Sequence, residues 1–373
     1  MAGAIAAFVL GKAGMNVILI DSAVTQAPVF KAEKIEPDQA ELLRTFGVMN
    51  IILPECRRIH RIACGQSGRI WGYIDIEQYG CSYPALVNAI RRNLPDSVKV
   101  HIGRATTLRT SSDLQEVGFS DGSVVSGRLL VLASGAQTRL QDQIPVQRRM
   151  VSPKHSLHLG FDLGPARSFA GGAESLSYRE ESSNSGIDFI TLFPIHDTLR
   201  VNVFTYWDAR DSMVRDIRQK GIEPLLNLMP HLASVAGALQ LSSKVECMAI
   251  DLYRTEHAVI PGVILLGDAF QSVCPSTGTG LSKVLVDVQT LLHLVPKWLQ
   301  TAGMNSSKIR EFYSDEHKQK TDEDSLHGAL YRRNLCIDHS VGWRVRRWKK
   351  YFPRWLAGVA SCSWLAEYLG GTV

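Results

Sequence analysis

Glycines, a proline and a carboxylate lie close together in residues 263–288, in an order that could hold a ligand. A β-type apolar run ends at Gly267 and Asp268, a loop follows at residues 275–280, and apolar residues from Leu281 onward recur at helical spacing. Backbone N–H groups at a helix start favour anionic or oxygen-rich ligand groups, and glycines let a flat ligand approach the backbone. An Asp at a strand end can accept hydrogen bonds from ligand hydroxyls. The pattern therefore indicates a site that binds a dinucleotide at its sugar-like chain and its ring.

A second, partial dinucleotide pattern lies at the start of the chain. Residues 2–14 predict a helix, and residues 16–20 predict a buried strand that ends at Asp21. In a βαβ dinucleotide-binding unit, an acidic residue about 20 positions beyond the glycines takes the ribose hydroxyls. Gly3 and Asp21 have this relation, so they are candidate cofactor-binding residues. An ordinary helix–strand pair is the alternative interpretation.

The segment GDAFQSVCPSTGTGLSKVLVD resembles the GDA…P…G-x-G-x-N…D segment of the FAD-dependent aromatic hydroxylases, the p-hydroxybenzoate hydroxylase-like monooxygenases. The resemblance implies that Asp268 holds the ribityl chain of the flavin. The positions that it implies for the isoalloxazine ring are Pro275, Gly278, Thr279, Gly280 and Leu281. The sequence departs from the family at Phe270, Gln271 and Ser282. An ordinary strand–loop–helix turn is the alternative interpretation.

The resemblance also implies that the first dinucleotide-binding fingerprint is incomplete. In the family, G-x-G-x-x-G-A precedes the first helix, whereas here only Gly3, followed by Ala4, matches its end. The missing strand would lie in the middle of a parallel sheet, so we expect a gap in that sheet and the loss of contacts to the pyrophosphate. A misassigned or truncated start, a fragment and a degraded copy all fit this pattern.

Other positions that match the family suggest further cofactor contacts. Lys31 stands near a family arginine that reaches the adenine side, although a solvated lysine is the alternative, and Gln39 is a weaker candidate. Gly135 follows a short buried strand and is implied as a flavin neighbour. Ser134 replaces an acid that supports FAD and NADPH contacts in hydroxylases, and Tyr83 replaces an arginine.

The order of these segments predicts a mixed α/β chain, with a Rossmann-like FAD-binding domain and a mostly antiparallel β-sheet domain on the substrate side. The predicted parts are residues 1–145 and 253–325 for the two segments of the FAD-binding domain, 146–252 for the β domain, and 326–373 for a basic, aromatic helical tail. Residues 98–119, with a turn at Asp121 and Gly122, are expected to form a small antiparallel piece. Candidates for the substrate-side wall are His155, His158, Phe193, His196, Tyr206 and Trp207.

Composition limits the possible classes of protein. The chain has 373 residues, a net charge of +5, 45% hydrophobic and 21% charged residues, which is typical of a globular protein and gives no argument for nucleic acid binding. Its seven cysteines are scattered, with no CxxC pair and no histidine at zinc spacing. They predict reduced thiols in a cytoplasmic protein rather than a metal site. The chain contains no run of about 18 uncharged apolar residues, so no transmembrane helix is expected.

The basic and aromatic segment at residues 343–355 predicts an amphipathic helix that Pro353 interrupts. Val345, Trp348, Phe352 and Trp355 fall on one face of such a helix. Weak peripheral membrane contact is one interpretation, and a helix that caps the cofactor domain is the other.

The resemblance implies an FAD-dependent monooxygenase that uses NADPH or NADH and O₂ to hydroxylate or epoxidise a small organic substrate. The flavin supplies the oxygen chemistry, so no acid–base or nucleophile triad is required, and the sequence assigns no catalytic residue. Two alternatives remain open. One is an FAD-dependent dehydrogenase or reductase on the same fold, and the other is a non-catalytic, truncated relic.

Overall fold

The structure of the chain, a computed structural model, describes residues 1–31, 33–179 and 185–356. Its strands are β1 (Val17–Asp21), β2 (Lys34–Ile35), β3 (Cys56–Gln66), β4 (Arg69–Cys81), β5 (Val98–Ile102), β6 (Ala105–Thr110), β7 (Gln115–Phe119), β8 (Val124–Gly127), β9 (Leu130–Leu132), β10 (Gln147–Pro165), β11 (Ser175–Arg179), β12 (Ile187–Ile195), β13 (Thr198–Thr205), β14 (Glu246–Glu256) and β15 (Val263–Leu265). Its helices are α1 (Ala2–Lys12), α2 (Pro37–Phe46), α3 (Met49–Ile52), α4 (Tyr83–Arg92), α5 (Ser212–Lys220), α6 (Glu223–Leu228), α7 (Leu232–Ala236), α8 (Gly280–Leu299), α9 (Ser306–Tyr313), α10 (Glu316–Ile337) and α11 (Val341–Leu356).

The largest sheet has eight strands in the order β14-β10-β13-β12-β11-β3-β4-β2. All its strand pairs are antiparallel except β11 with β3, which are parallel. This confirms the predicted, mostly antiparallel sheet. Strands β2, β3 and β4 come from residues 34–81, so the sheet draws on two distant parts of the chain. The domain boundaries given above stay a prediction.

The parallel strands form two separate pairs, β1 with β5 and β15 with β9. Helix α1 begins between them, because a Cβ placed on Gly3 would lie 3.4 Å from the Ala133 Cβ and 3.8 Å from the Leu19 Cδ1. The absence of a hydrogen-bonded strand between the two pairs, within the described ranges, confirms the gap expected from the incomplete fingerprint.

Three local predictions were wrong in detail. Residues 98–102 do not belong to an antiparallel piece: as β5 they run parallel to β1, with Val98 beside Val17. The reason is that helix α4 carries the chain back over the sheet, so β5 enters in the direction of β1. The antiparallel piece is β6-β7-β8 alone. The sequence of residues 235–241 also predicts a helix, but the chain is helical only as far as Ala236, because Gly237 follows with a φ of 73°. Helix α11 continues through Pro353.

Helix α1 is the centre of the main hydrophobic core. Its residues 4–11 are all buried, as expected for a helix that is apolar on every side. It packs in one cluster with apolar side chains of α2, α4 and α8. A second cluster joins one face of the large sheet to α5, α6 and α7. No helix in the described ranges is long and apolar enough to cross a membrane.

Candidate functional site

Asp268 lies in a short 3-10 turn, Gly267–Ala269, directly after strand β15. The turn begins with Gly267 at a φ of +60°, a conformation that favours glycine. The neighbouring strand β14 fixes the backbone of this turn, because the Tyr253 hydroxyl donates to the Asp268 carbonyl at 2.8 Å and Thr255 donates to the Ala269 carbonyl at 3.1 Å. Asp268 itself is half-buried, so the turn holds a partly exposed carboxylate close to the end of strand β15.

Two tyrosines flank the Asp268 carboxylate. Burial, together with the negative charge of Asp268, raises the pKa of Tyr83 to about 12. Burial likewise raises the pKa of Tyr253 to about 12, with Asp268 again contributing. Both phenols therefore stay neutral at physiological pH. Tyr83, the residue that replaces a family arginine, lies next to Asp268 as a neutral hydrogen-bonding group.

The loop after Asp268 contains a second 3-10 turn, Pro275–Thr277, which Gly278 ends at a φ of +72°. Thr279 is fixed by hydroxyl contacts of 2.7 Å to both Thr277 and Ser325. Helix α8 begins at Gly280, and the Leu281 side chain turns into the core. The loop and the start of the helix are therefore held in one conformation.

Gln39, a weak candidate from the sequence, supports the same loop. Its side-chain amide donates to the Gly278 carbonyl at 3.0 Å and to the Ser282 hydroxyl at 2.9 Å. Gln39 is 2% exposed and belongs to helix α2. It therefore ties α2 to the loop through backbone and hydroxyl contacts.

Open space borders the two glycines that the sequence placed beside a flat ligand. A Cβ on Gly278 or on Gly135 would meet no atom within 4 Å, and both residues have positive φ values, +72° and +65°. A planar group can therefore lie directly on the backbone at both positions. Gly135 follows β9 and Asp268 follows β15, and these strands pair in parallel, so both residues lie at the same end of one strand pair. That a flavin ring lies there stays a prediction.

Arg148 joins the loop after β9 to the Asp268 turn, a contact that sequence reasoning missed. Its guanidinium donates to the Ala136 carbonyl at 3.0 Å and lies 3.9 Å from the centroid of the Tyr253 ring. Tyr253 in turn contacts the backbone of Asp268. No local pattern singles out Arg148, because its partners lie 12 and 105 positions away along the chain. An arginine stacked on an aromatic ring is visible only after folding.

The adenosine-side candidates are less well prepared to receive a ligand. The Asp21 carboxylate pairs with the Arg91 guanidinium and also accepts the Ala23 N–H at 3.1 Å. Lys31 Nζ lies 6.0 Å from the centroid of the Tyr83 ring, which places it beside the site. The assigned roles of Asp21, Lys31 and Gly3 in cofactor binding stay predictions.

Three of the six wall candidates lie behind the Pro275 turn. His158 Nε2 lies 2.9 Å from the Ser156 hydroxyl and 3.8 Å from the Cys274 sulfur, directly before Pro275. The ring of His155 meets the edge of Tyr206, and Tyr206 hydrogen-bonds Ser276. Burial lowers the pKa of His158 to about 3 and that of His155 to about 4, so both imidazoles are neutral.

The other three wall candidates lie elsewhere. His196 is exposed in the turn between β12 and β13, and Trp207 packs into the cluster of α5, α6 and α7. Phe193 packs in a cluster with residues of β3 and β4, and the Lys34 ammonium lies 5.4 Å from its ring centroid.

Comparisons with known proteins identify the family of this chain. A family model described as "FAD binding domain" matches residues 1–319. A salicylate hydroxylase from Pseudomonas putida is 24% identical over 261 residues, which are 61% of this chain and 57% of that protein. The matched part is thus less than two thirds of that relative.

Solved structures share the fold. The p-nitrophenol 4-monooxygenase PnpA from Pseudomonas putida DLL-E4 has a TM-score of 0.74 at 16% identity, over 96% of this chain and 91% of that one. HpxO from Klebsiella pneumoniae, solved with FAD and uric acid, has a TM-score of 0.66 at 17% identity, over 94% and 90% of the two chains. At these identities the likeness shows the fold. Because the family model covers most of the chain, this chain belongs to the FAD-binding domain family of FAD-dependent monooxygenases.

Proposed function

We propose that this protein is an FAD-dependent monooxygenase that inserts one oxygen atom from O₂ into a small organic substrate, with NADPH or NADH as the transient reductant. The observation that carries the proposal is the open space beside Gly135 and Gly278, next to Asp268 and the start of α8. Family membership and the names of the relatives support it.

Each part of the site has a distinct task in this proposal. Asp268 accepts hydrogen bonds from the hydroxyls of the cofactor's sugar-like chain. Gly135 and Gly278 let the ring lie against the backbone, while Pro275, Thr279, Gly280 and Leu281 shape its other contacts. The positive end of helix α8 would favour negative charge on a ring bound beside it. FAD supplies the oxygen chemistry, so the protein's own residues bind, orient and exclude water.

The substrate that we propose is an aromatic compound, in line with the salicylate hydroxylase and the p-nitrophenol monooxygenase to which the chain is similar. His158 and Tyr206 would contact it from behind the Pro275 turn. Because burial lowers the pKa of His158 and raises that of Tyr206, both groups would orient the substrate as neutral hydrogen-bonding groups.

The test begins with purified protein supplied with FAD. We expect a yellow complex, oxidation of NADPH or NADH that depends on an added phenol or hydroxybenzoate, consumption of O₂, and a product heavier by one oxygen atom. Transfer of electrons without O₂ consumption would favour the dehydrogenase or reductase. Failure to bind FAD would favour the non-catalytic relic and would overturn the proposal.

We further propose weak peripheral contact with an anionic membrane through helix α11. Three apolar side chains of α11 are exposed, Val341 by 76%, Val345 by 45% and Trp348 by 58%. Arg347 anchors the helix by donating to the Leu335 carbonyl of α10 at 3.0 Å, which leaves these apolar side chains facing solvent. The basic residues of the helix are Arg344, Arg346, Arg347, Lys349, Lys350 and Arg354, with no acid among residues 341–356. A basic helix with an exposed apolar side fits a negatively charged lipid surface.

Sedimentation of the full chain with vesicles tests this contact. We expect binding to vesicles that contain phosphatidylserine, weaker binding at high salt, and loss of binding in Trp348→Ser. Leu114→Ser, at an apolar residue that is 47% exposed outside α11, is the control and should bind like the wild type. Equal binding by both variants, or no binding to any vesicle, would contradict the proposal.

A cytoplasmic location is also proposed, since the cysteines of the described ranges are free thiols.

A further inference from the structure

Four charged side chains are buried together where α10 packs on α8. Lys283 and Asp287 belong to α8, Lys318 and Asp322 to α10, and none of the four side chains is more than 3% exposed. Lys318 Nζ donates to Asp287 Oδ1 at 2.6 Å and to Asp322 Oδ2 at 3.0 Å. Lys283 bonds the other carboxylate oxygen of Asp322. Two cations thus balance two carboxylates away from water. We call these four residues the α8–α10 charge cluster.

The cluster reaches the backbone of the turn that carries Asp268. Asp287 Oδ2 accepts the Gly267 N–H at 2.9 Å, one residue before Asp268. On the other side of the turn, the Gln271 side chain donates to the Asp322 backbone carbonyl at 2.8 Å. Both ends of the turn are therefore fastened to residues of the α8–α10 charge cluster.

Stability alone does not explain such a cluster. A buried ion pair adds little net stability, because the desolvation of two charges offsets their attraction, whereas a buried charge that loses its partner is costly. Lys318 makes the only ion pair of Asp287 among the described residues. Without that ammonium, Asp287 would be a buried carboxylate that has lost its ion pair, and it would turn or take up a proton. Either change alters its bond to the Gly267 N–H.

We propose that Asp287 and Lys318 are positioning residues for the flavin site, with Lys318 holding Asp287 against Gly267 so that Asp268 keeps its orientation toward the cofactor. The inference rests on the proposed function, because it assumes that Asp268 contacts FAD. Asp322 completes the charge balance of the cluster but does not touch the turn with its carboxylate. The two aspartates are matched in burial and in their bond to Lys318. They differ in their second partner, which is the Gly267 N–H for Asp287 and the Lys283 ammonium for Asp322.

The test compares Asp287→Asn with Asp322→Asn in the full chain. Dissociation constants for FAD are measured by quenching of flavin fluorescence on titration into apoprotein, and thermal unfolding is followed in parallel. We expect FAD to bind about tenfold more weakly to Asp287→Asn, because an amide has one acceptor oxygen where the carboxylate gives one each to Lys318 and to the Gly267 N–H. Asp322→Asn should bind FAD within about threefold of wild type, even if its unfolding temperature falls as far as that of Asp287→Asn.

Lys318 provides the second arm of the test. Lys318→Met should weaken FAD binding like Asp287→Asn, and Lys318→Arg should restore most of the affinity because the charge returns. If Lys318→Met does not fold, the two aspartate variants still decide. Equal affinity in Asp287→Asn and Asp322→Asn would overturn the inference while the wild type still binds FAD. A wild type that does not bind FAD would instead overturn the proposed function.

Discussion

The two ends of the proposed cofactor site are built differently. At the ring end, Asp268 and the loop to Gly280 are fastened by α2, α10, β14 and the buried charges of α8. At the adenosine end, β1 has one strand partner, β5, and the Asp21 carboxylate already pairs with Arg91. A ligand therefore finds a prepared surface at the ring end and must compete with an existing ion pair at the other. We therefore expect the ring end to determine both the affinity and the specificity of FAD binding.

The largest expected effect follows from Asp268→Asn. The amide keeps the shape but loses the charge that strengthens hydrogen bonds to ligand hydroxyls, so we expect FAD to bind ~10- to 100-fold more weakly. Flavin fluorescence titration measures the change. Asp142→Asn is the control, because Asp142 also lies in a short 3-10 turn but is exposed. Unchanged FAD affinity in Asp268→Asn would contradict the proposal that the ring end sets affinity, since that end would then not depend on its carboxylate.

Gly278→Ala should have an intermediate effect, and Gly122→Ala is its matched control. Both glycines have positive φ values, +72° and +86°, and a Cβ on either meets no protein atom within 4 Å. Each substitution should cost about 1–2 kcal/mol of unfolding free energy from backbone strain. Only Gly278→Ala should also weaken FAD binding, by about tenfold, because its methyl group enters the space proposed for the ring. Parallel thermal unfolding and FAD titration check this, and equal FAD affinities would contradict the proposed ring position.

The smallest effect is expected at the adenosine end. Asp21→Asn should weaken FAD binding by less than about threefold, because Arg91 already engages the carboxylate and the pair is partly exposed. Arg92→Met, which removes the neighbouring pair with Glu55, serves as the control for a general change in surface charge. A loss of tenfold or more in Asp21→Asn, by the same titration, would show that the adenosine end contributes as strongly as the ring end.

The sequence predicted the features that depend on residues close together in the chain. Asp268, the Pro275 turn and the start of α8 follow one another within about 15 residues, so their order and spacing carry the information. The strand that becomes β5 was also found, but its direction was not, because a strand's own residues do not say which neighbour it pairs with. The gap between the two parallel strand pairs was expected, because only Gly3 and Ala4 match the end of the family's fingerprint.

Long-range contacts lay beyond sequence reasoning. Arg148 reaches the site from the start of β10, and Lys318 and Asp322 reach it from a helix that the sequence assigned partly to the cofactor domain. Each has a polar side chain that would suit a solvated surface equally well. Strand β14 was missed because it has no regular alternation of apolar and polar residues, and β11 because it has only five residues, although these alternate. Only tertiary packing gives these residues their partners.

The large sheet also constrains how the chain can fold during synthesis. Strand β3 pairs with β11, so Ile62 lies beside Ser175, and β10 pairs with β14, so Gly160 lies beside Glu246. These pairings join segments that leave the ribosome far apart in time. Since long loops must close before such contacts form, completion of the sheet is expected to be a slow, late event. The ribosome must therefore deliver β11 before β3 has both its neighbours, and β14 before β10 has both of its own. A nascent chain cut before either point would expose an unpaired strand edge.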